Sequence, residues 1–162
     1  MKELGNVGET DSMGNTIDEI INETKLFYCV ECGKCVGVCP LREIYEEFSY
    51  ELSPRGIIKK ALLGFDILKD KEIWFCLGCT VCTEMCPAGV RYAEFIESLR
   101  LSAIREGITE HCSFCQRCGT YFVPTPTLDN AREIMEERGL SSQFLGQCPK
   151  CRRYDFAERV KK

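Results

Sequence analysis

The chain has 162 residues and a formal net charge of −4, with 28% charged and 44% hydrophobic residues. This balance is typical of a folded globular protein and argues against a chain that is disordered overall. A net negative charge also disfavours binding to a nucleic-acid backbone, which requires an excess of Lys and Arg on one face. We therefore do not expect nucleic acid as the principal partner.

Cysteine is the outlying residue type, with 13 in the chain. Such a number indicates either a disulfide framework or metal ligation. The N-terminal sequence has no apolar segment with a cleavage site, so we expect a cytoplasmic protein whose thiols stay reduced. The odd total and the repeated two-residue gaps also favour ligation. No apolar run approaches the roughly 18 to 20 residues of a membrane span, so none is expected.

Residues 1–15 are polar and contain glycine, which predicts a flexible N-terminal lead. Apolar residues at helical spacing then predict a series of short helices. These begin near Thr16, Leu41, Ser53, Ile73, Tyr92 and Leu128. The clearest start is Ser53-Pro54, which combines a capping side chain with proline at the first helical position. Gly64, Gly107 and Gly139 are placed to end three of the helices.

A change in composition near Ile108 predicts two modules. Residues 16–107 form a helical domain, and residues 108–162 form a second, smaller module with its own cysteine group. Neither module is large enough to gain much stability from apolar burial alone. We therefore expect bound metal to stabilise both.

The first module contains the pattern CxxCxxCxxxCP twice. The copies consist of Cys29, Cys32, Cys35 and Cys39 before Pro40, and of Cys76, Cys79, Cys82 and Cys86 before Pro87. In this pattern three cysteines hold one 4Fe-4S cluster and the fourth ligates the other cluster. The spacing thus predicts site I, formed by Cys29, Cys32, Cys35 and Cys86, and site II, formed by Cys76, Cys79, Cys82 and Cys39. Zinc is the alternative, although a tetrahedral ion does not need the third cysteine and the following CP.

About 36 residues with helical patterning separate the two motifs. This separation resembles the helical ferredoxin domain found in the succinate dehydrogenase iron–sulfur subunit and in the C subunit of heterodisulfide reductase. The second resemblance is closer, because over residues 16–106 the chain is similar to that C subunit in the segments CVECGKCVGVCP, SPRGIIKKALLG and IWFCLGCTVCTEMCPAGV. It implies a mainly α fold with two 4Fe-4S clusters, and a subunit that relays electrons between a flavin-containing A-type subunit and a catalytic B-type subunit or its equivalent.

The second module contains two CxxC pairs about 30 residues apart, which is the pattern of a zinc ribbon. The pairs are Cys115 with Cys118 and Cys148 with Cys151. Four thiolates complete a closed tetrahedral zinc site, and rubredoxin-like iron uses the same ligands. Cys112 repeats the two-residue gap, so a third 4Fe-4S cluster is a further alternative. We expect one zinc ion in a zinc-ribbon-like module.

No paired carboxylates, nucleophile with histidine, or phosphate-binding loop is evident, so we expect no catalysis by the chain alone. The competing hypotheses are a scaffold or nucleic-acid-binding protein with structural metal, and a disulfide reductase that uses Cys112. Lys34 in the first ligand loop and Glu84 in the second predict a higher reduction potential at site I. Solvent screening of both side chains would remove that difference.

Overall fold

The computed structural model describes residues 16–160, except for the side chain of Arg159. The flexible lead expected at residues 1–15 lies outside this range. Within it, the chain forms eight α-helices and one two-stranded sheet. In chain order the elements are α1 (Ile17–Glu23), α2 (Lys34–Gly37), α3 (Leu41–Ile44), α4 (Pro54–Leu62), α5 (Val81–Glu84), α6 (Tyr92–Arg105), β1 (Cys112–Phe114), β2 (Tyr121–Pro124), α7 (Thr125–Glu137) and α8 (Pro149–Val160). The expected mainly α fold class is confirmed.

Helix α1 is fixed at its start by a capping box. The Oγ1 of Thr16 accepts a hydrogen bond from the backbone N–H of Glu19, whose carboxylate accepts one from the N–H of Thr16 at 2.7 Å. This arrangement provides hydrogen-bond acceptors for two backbone N–H groups that have no acceptor within the helix. The buried face of α1, with Ile20 and Ile21, then packs against the core.

Helix α4 begins where the sequence predicts it. Ser53 Oγ accepts a hydrogen bond from the N–H of Gly56 at 3.1 Å and donates one to the carbonyl of Tyr50 at 2.6 Å. Gly56 is required because a Cβ atom there would lie 2.0 Å from the Tyr50 carbonyl oxygen. The helix ends at Leu62, and Gly64 takes the left-handed φ of +75° that turns the chain away.

The main hydrophobic core lies around α6. Phe95, Ile96 and Leu99 are buried on one face of this helix, and Trp74 from a preceding 3₁₀ turn is buried in the same core. Burial of these large side chains contributes to the stability of the domain. In the part of the chain that the structure describes, no helix is long and apolar enough to cross a membrane.

The C-terminal segment begins with the antiparallel hairpin of β1 and β2, whose register pairs Cys112 with Pro124. The hairpin lies against the helical domain, since Tyr121 makes an edge-on contact with Trp74 at 6.3 Å between ring centroids. His111 lies at the same distance from Trp74. The division at residues 107 and 108 stays a prediction, but the two segments share these packed contacts.

Candidate metal centres

The two ligand loops have the same backbone conformation. Each takes left-handed φ at two equivalent positions, which are Glu31 (52°) and Gly33 (77°) in the first loop and Gly78 (65°) and Thr80 (63°) in the second. Left-handed conformations are costly for non-glycine residues and persist where the surrounding structure requires them. Each loop thus has one glycine and one strained residue, and the repeated cysteine pattern folds as a repeated loop.

The first loop lines a cavity that is partly open to solvent. Its wall contains cysteines from both motifs. They are Cys29, Cys32, Cys35, Cys82 and Cys86. The fourth cysteine of the second motif, Cys86, therefore lies beside the first loop, as the crossed ligation of site I requires.

The second loop lines a similar cavity that is also partly open to solvent. The cysteines in its wall are Cys39, Cys76, Cys79 and Cys82. Cys39 comes from the first motif, so this cavity contains the four residues predicted for site II. The two cavities together contain all eight cysteines of the repeated pattern.

Two residues belong to the walls of both cavities. Cys82 and Tyr92 contact each cavity, and both side chains are buried. Tyr92 is the first residue of α6, so the N-terminus of the longest described helix lies between the two sites. Two groups bound in these cavities would be separated by little more than a shared wall.

Burial raises the pKa of several thiols in the two sites. It is the main cause at Cys35, Cys39 and Cys76, and it raises the pKa of Cys82 to about 12, with neighbouring thiolates adding to the effect. These thiols would carry protons at neutral pH in the absence of metal. Iron binding would therefore release protons, and cluster loading is expected to depend on pH.

The residues of both cavities fit a 4Fe-4S cluster. Their ligand atoms are thiols, and in the second loop the N–H of Gly78 points at Sγ of Cys76 at 3.4 Å, as amides do toward cluster sulfur. Among residues 16–160, the only group of three or more Cys, His, Asp or Glu residues close enough to share one ion is at the C-terminal site. The eight cysteines instead line two cavities, which disfavours single zinc ions there.

The charged side chains of the two loops are either exposed to solvent or paired with an opposite charge. Lys34 and Glu84 are exposed, and Glu84 accepts a hydrogen bond from Thr80. Arg55 in the wall of site I forms an ion pair with Glu31 at 2.7 Å, and this pairing lowers the pKa of the Glu31 carboxyl. Their effect at the sites is weakened by water and by pairing.

Near site II the structure identifies a residue that the sequence interpretation missed. Arg100 on α6 is 8% exposed and donates hydrogen bonds to the backbone carbonyls of Ile73 and Cys76. A signal was available, because Arg100 follows Ile96 by four residues and precedes Ala103 by three, so it interrupts the predicted apolar stripe.

The four cysteines of the C-terminal pairs come together at one point. The Sγ atoms of Cys115, Cys118, Cys148 and Cys151 all lie within 4.8 Å of one another. The Sγ atoms of Cys118 and Cys148 are 3.8 Å apart. A tetrahedral ion with metal–sulfur bonds of about 2.3 Å requires about this separation, so the geometry fits zinc or iron.

The first pair lies in the turn of the hairpin, and the second begins α8, with Cys151 in its first turn. Burial opposes ionisation of Cys115, but hydrogen bonds from backbone N–H groups, including that of Cys148 at 3.2 Å, lower its pKa to about 6. Burial and the neighbouring cysteines raise the pKa of Cys151 to about 12. A bound cation would be needed to hold both as thiolates.

Cys112 is not part of this group. It lies on β1, is half-buried against the main core, and is not among the residues that converge on the C-terminal site. The close grouping of the other four sulfur atoms suits a single tetrahedral ion, which disfavours the alternative of a third 4Fe-4S cluster. His111 likewise contacts Trp74 rather than a cysteine pair.

The comparisons with known proteins address the cysteine repeat. Residues 25–90 match the model of the family described as "4Fe-4S dicluster domain". This match covers less than half of the chain and supports an iron–sulfur, ferredoxin-like protein. The matched residues include all eight cysteines of sites I and II. No curated protein matches the chain. Iron–sulfur binding and a ferredoxin-like first module are thus supported by both the match and the paired cavities.

Proposed function

We propose that the chain is the electron-transfer subunit of a heterodisulfide reductase-like oxidoreductase complex in the cytoplasm. Site I would bind one 4Fe-4S cluster through Cys29, Cys32, Cys35 and Cys86. Site II would bind the other through Cys76, Cys79, Cys82 and Cys39. When bound, the clusters would supply reversible one-electron transfer.

The shared wall of Cys82 and Tyr92 is the observation that carries this proposal. Because both cavities contact the same two residues, electrons would need to cross only a short distance between the sites. The buried residues around the wall also limit access of water to it. The protein's role is to hold the two sites adjacent and to tune their potentials.

The proposed partners follow from the resemblance and from the surface near site I. We infer a flavin-containing A-type subunit as donor and a catalytic B-type subunit or its equivalent as acceptor. Phe27, Tyr28 and Val30 are large apolar side chains that are at least 63% exposed beside the ligand Cys29. An apolar surface next to a redox site is suited to docking a protein partner.

The proposed C-terminal cofactor is one zinc ion held by Cys115, Cys118, Cys148 and Cys151. Its role would be structural, because four thiolates leave no open coordination position for a substrate. The ion would join the hairpin turn to the start of α8, which the ion pair of Arg117 with Asp155 also links. It would thereby stabilise a surface next to the helical domain.

Metal and sulfide analysis of protein purified without oxygen tests the cofactors. The proposal expects about eight iron, eight acid-labile sulfide and one zinc per chain. It also expects visible absorbance that dithionite bleaches. Protein that contains zinc but no acid-labile sulfide would contradict the electron-transfer role and favour the alternative of a metal-stabilised scaffold.

The partner proposal is tested by purification of the tagged, fully loaded chain from native extract under argon. A co-purifying subunit with bound flavin is expected, and its reduction should bleach the clusters of the chain. The Phe27→Ser, Val30→Ser variant of the chain, loaded with the same amount of iron, should co-purify with less of the flavin-containing subunit. A flavin-free complex that cannot reduce the chain would contradict this arrangement.

A further inference from the structure

Arg100 is the buried cation nearest to a ligand loop. Its Nε and Nη2 atoms donate to the carbonyl of Ile73 at 3.0 and 2.7 Å, and Nη2 also donates to the carbonyl of Cys76 at 2.6 Å. Its guanidinium group lies 5.9 Å from the centre of the Trp74 ring. These contacts hold the group rigidly behind the first cysteine of the second loop.

The charge of Arg100 has no carboxylate partner. None of the ion pairs found among residues 16–160 includes it, and its hydrogen bonds go to neutral carbonyl oxygens. Isolated buried charges are strongly unfavourable unless an opposite charge lies nearby. The thiolates of a loaded site II would supply that opposite charge.

We propose that Arg100 is a positioning residue whose buried positive charge raises the reduction potential of the cluster at site II above that at site I. This inference rests on the proposed two-cluster function. Reduction adds one negative charge to a site, and a fixed cation nearby stabilises the more negative state. The effect is large because Arg100 is shielded from water.

Among residues 16–160, no equivalent buried charge lies in the wall of site I. Arg55 is paired with Glu31, and Lys34 is exposed to solvent. Exposed charges are screened over short distances by salt, so they shift a potential less than a buried charge does. The inference therefore reverses the order of potentials that Lys34 and Glu84 suggest, and it makes site II the first to be reduced.

The first experiment determines the order of reduction in the unaltered, fully loaded chain. Stepwise titration with dithionite supplies one electron per site, and no protein bond forms or breaks. Electron paramagnetic resonance signals are assigned with Cys32→Ser for site I and Cys79→Ser for site II. The site II signal is expected at the higher potential. Reduction of site I first would overturn the inference, although the two-cluster function would stand.

The second experiment tests Arg100 itself. Arg100→Gln should shift the electron distribution about tenfold away from site II, which corresponds to about 59 mV for a one-electron couple. Arg100→Lys keeps the positive charge, so the reduction potential of site II should stay close to that of the unaltered chain. Arg105→Gln, an exposed change on the same helix, should leave both potentials unchanged.

Two outcomes would contradict the role of Arg100. One is an Arg100→Gln protein with full iron and sulfide and an unchanged potential at site II. The other is an equal shift at both sites, which would indicate a general structural effect. If Arg100→Gln binds no cluster, the order of reduction in the unaltered chain and the potential of Arg100→Lys decide the question. Absence of acid-labile sulfide from the unaltered chain would instead contradict the proposed function.

Discussion

The backbone N–H of Cys148 donates a hydrogen bond to Sγ of Cys115 across 3.2 Å. This contact joins cysteine pairs that are distant in sequence, and it sets the sulfur atoms for one ion. A second link runs beside it, from the N–H of Gln116 to the carbonyl of Gly146 at 3.0 Å. These backbone hydrogen bonds therefore help to bring the cysteines of the C-terminal site together.

Replacement of Cys115 should remove the C-terminal metal without removing iron. Cys115→Ser loses a buried ligand whose thiolate is stabilised by backbone N–H groups, so zinc is expected to fall from about one per chain to well below half. Iron should stay near eight per chain. Elemental analysis of anaerobically purified protein measures both.

Cys112→Ser is the matched control, because Cys112 is three residues away but outside the group of converging sulfurs. It should keep the full zinc content. Loss of zinc in this control, or loss of iron in Cys115→Ser, would contradict the separation of the C-terminal metal from sites I and II.

Local sequence signals predicted the helices with clear ends. The Ser53 cap and the Tyr92 stripe are both confirmed as helix α4 and helix α6. Helix α3 begins at Leu41 as predicted and is short, ending at Ile44. Helix α7 begins at Thr125, three residues before the predicted start at Leu128. Helix ends without a strong cap or a glycine are poorly fixed by local sequence.

Other features depend on contacts between distant residues. Helix α8 was not predicted, because Pro149–Val160 is highly charged and has few apolar residues at helical spacing. The strands β1 and β2 are too short to show alternation. The cysteine spacing predicted a ligand set for each site, and the members of each set line one cavity. The spacing did not predict that Arg100 and Tyr92 lie beside them, since this requires the packing of α6.

Gly56→Ala should destabilise the helical domain. The new Cβ would lie 2.0 Å from the Tyr50 carbonyl oxygen, so the cap around Ser53 must shift. Overpacking of this kind costs about 1 to 3 kcal/mol of unfolding free energy. The urea midpoint of the loaded protein under argon should fall. Gly37→Ala is the control, since its Cβ meets nothing within 4 Å and the midpoint should not fall. Equal midpoints for the two variants would contradict the close contact.

Cys112 should be the thiol that is first alkylated in the loaded protein, and its reaction should be slow at neutral pH. Burial raises the pKa of its thiol above the usual value near 9. A raised pKa leaves less thiolate at any lower pH, so the rate should increase up to and beyond pH 9. Mass spectrometry after iodoacetamide treatment at several pH values measures this rate. Cys112→Ser should take up no label initially. Earlier labelling of a ligand cysteine would contradict the prediction.

The proposed crossed ligation predicts opposite effects for the last cysteine of each motif. Cys39 lies in the wall of site II and Cys86 in that of site I, although each follows the other loop in sequence. Cys39→Ser should therefore change the same resonance signal as Cys79→Ser, and Cys86→Ser should change the same signal as Cys32→Ser. Redox titration with electron paramagnetic resonance compares the four variants under argon. Because ligand replacement alters the site it belongs to most strongly, a Cys39→Ser protein that resembles Cys32→Ser would show uncrossed ligation.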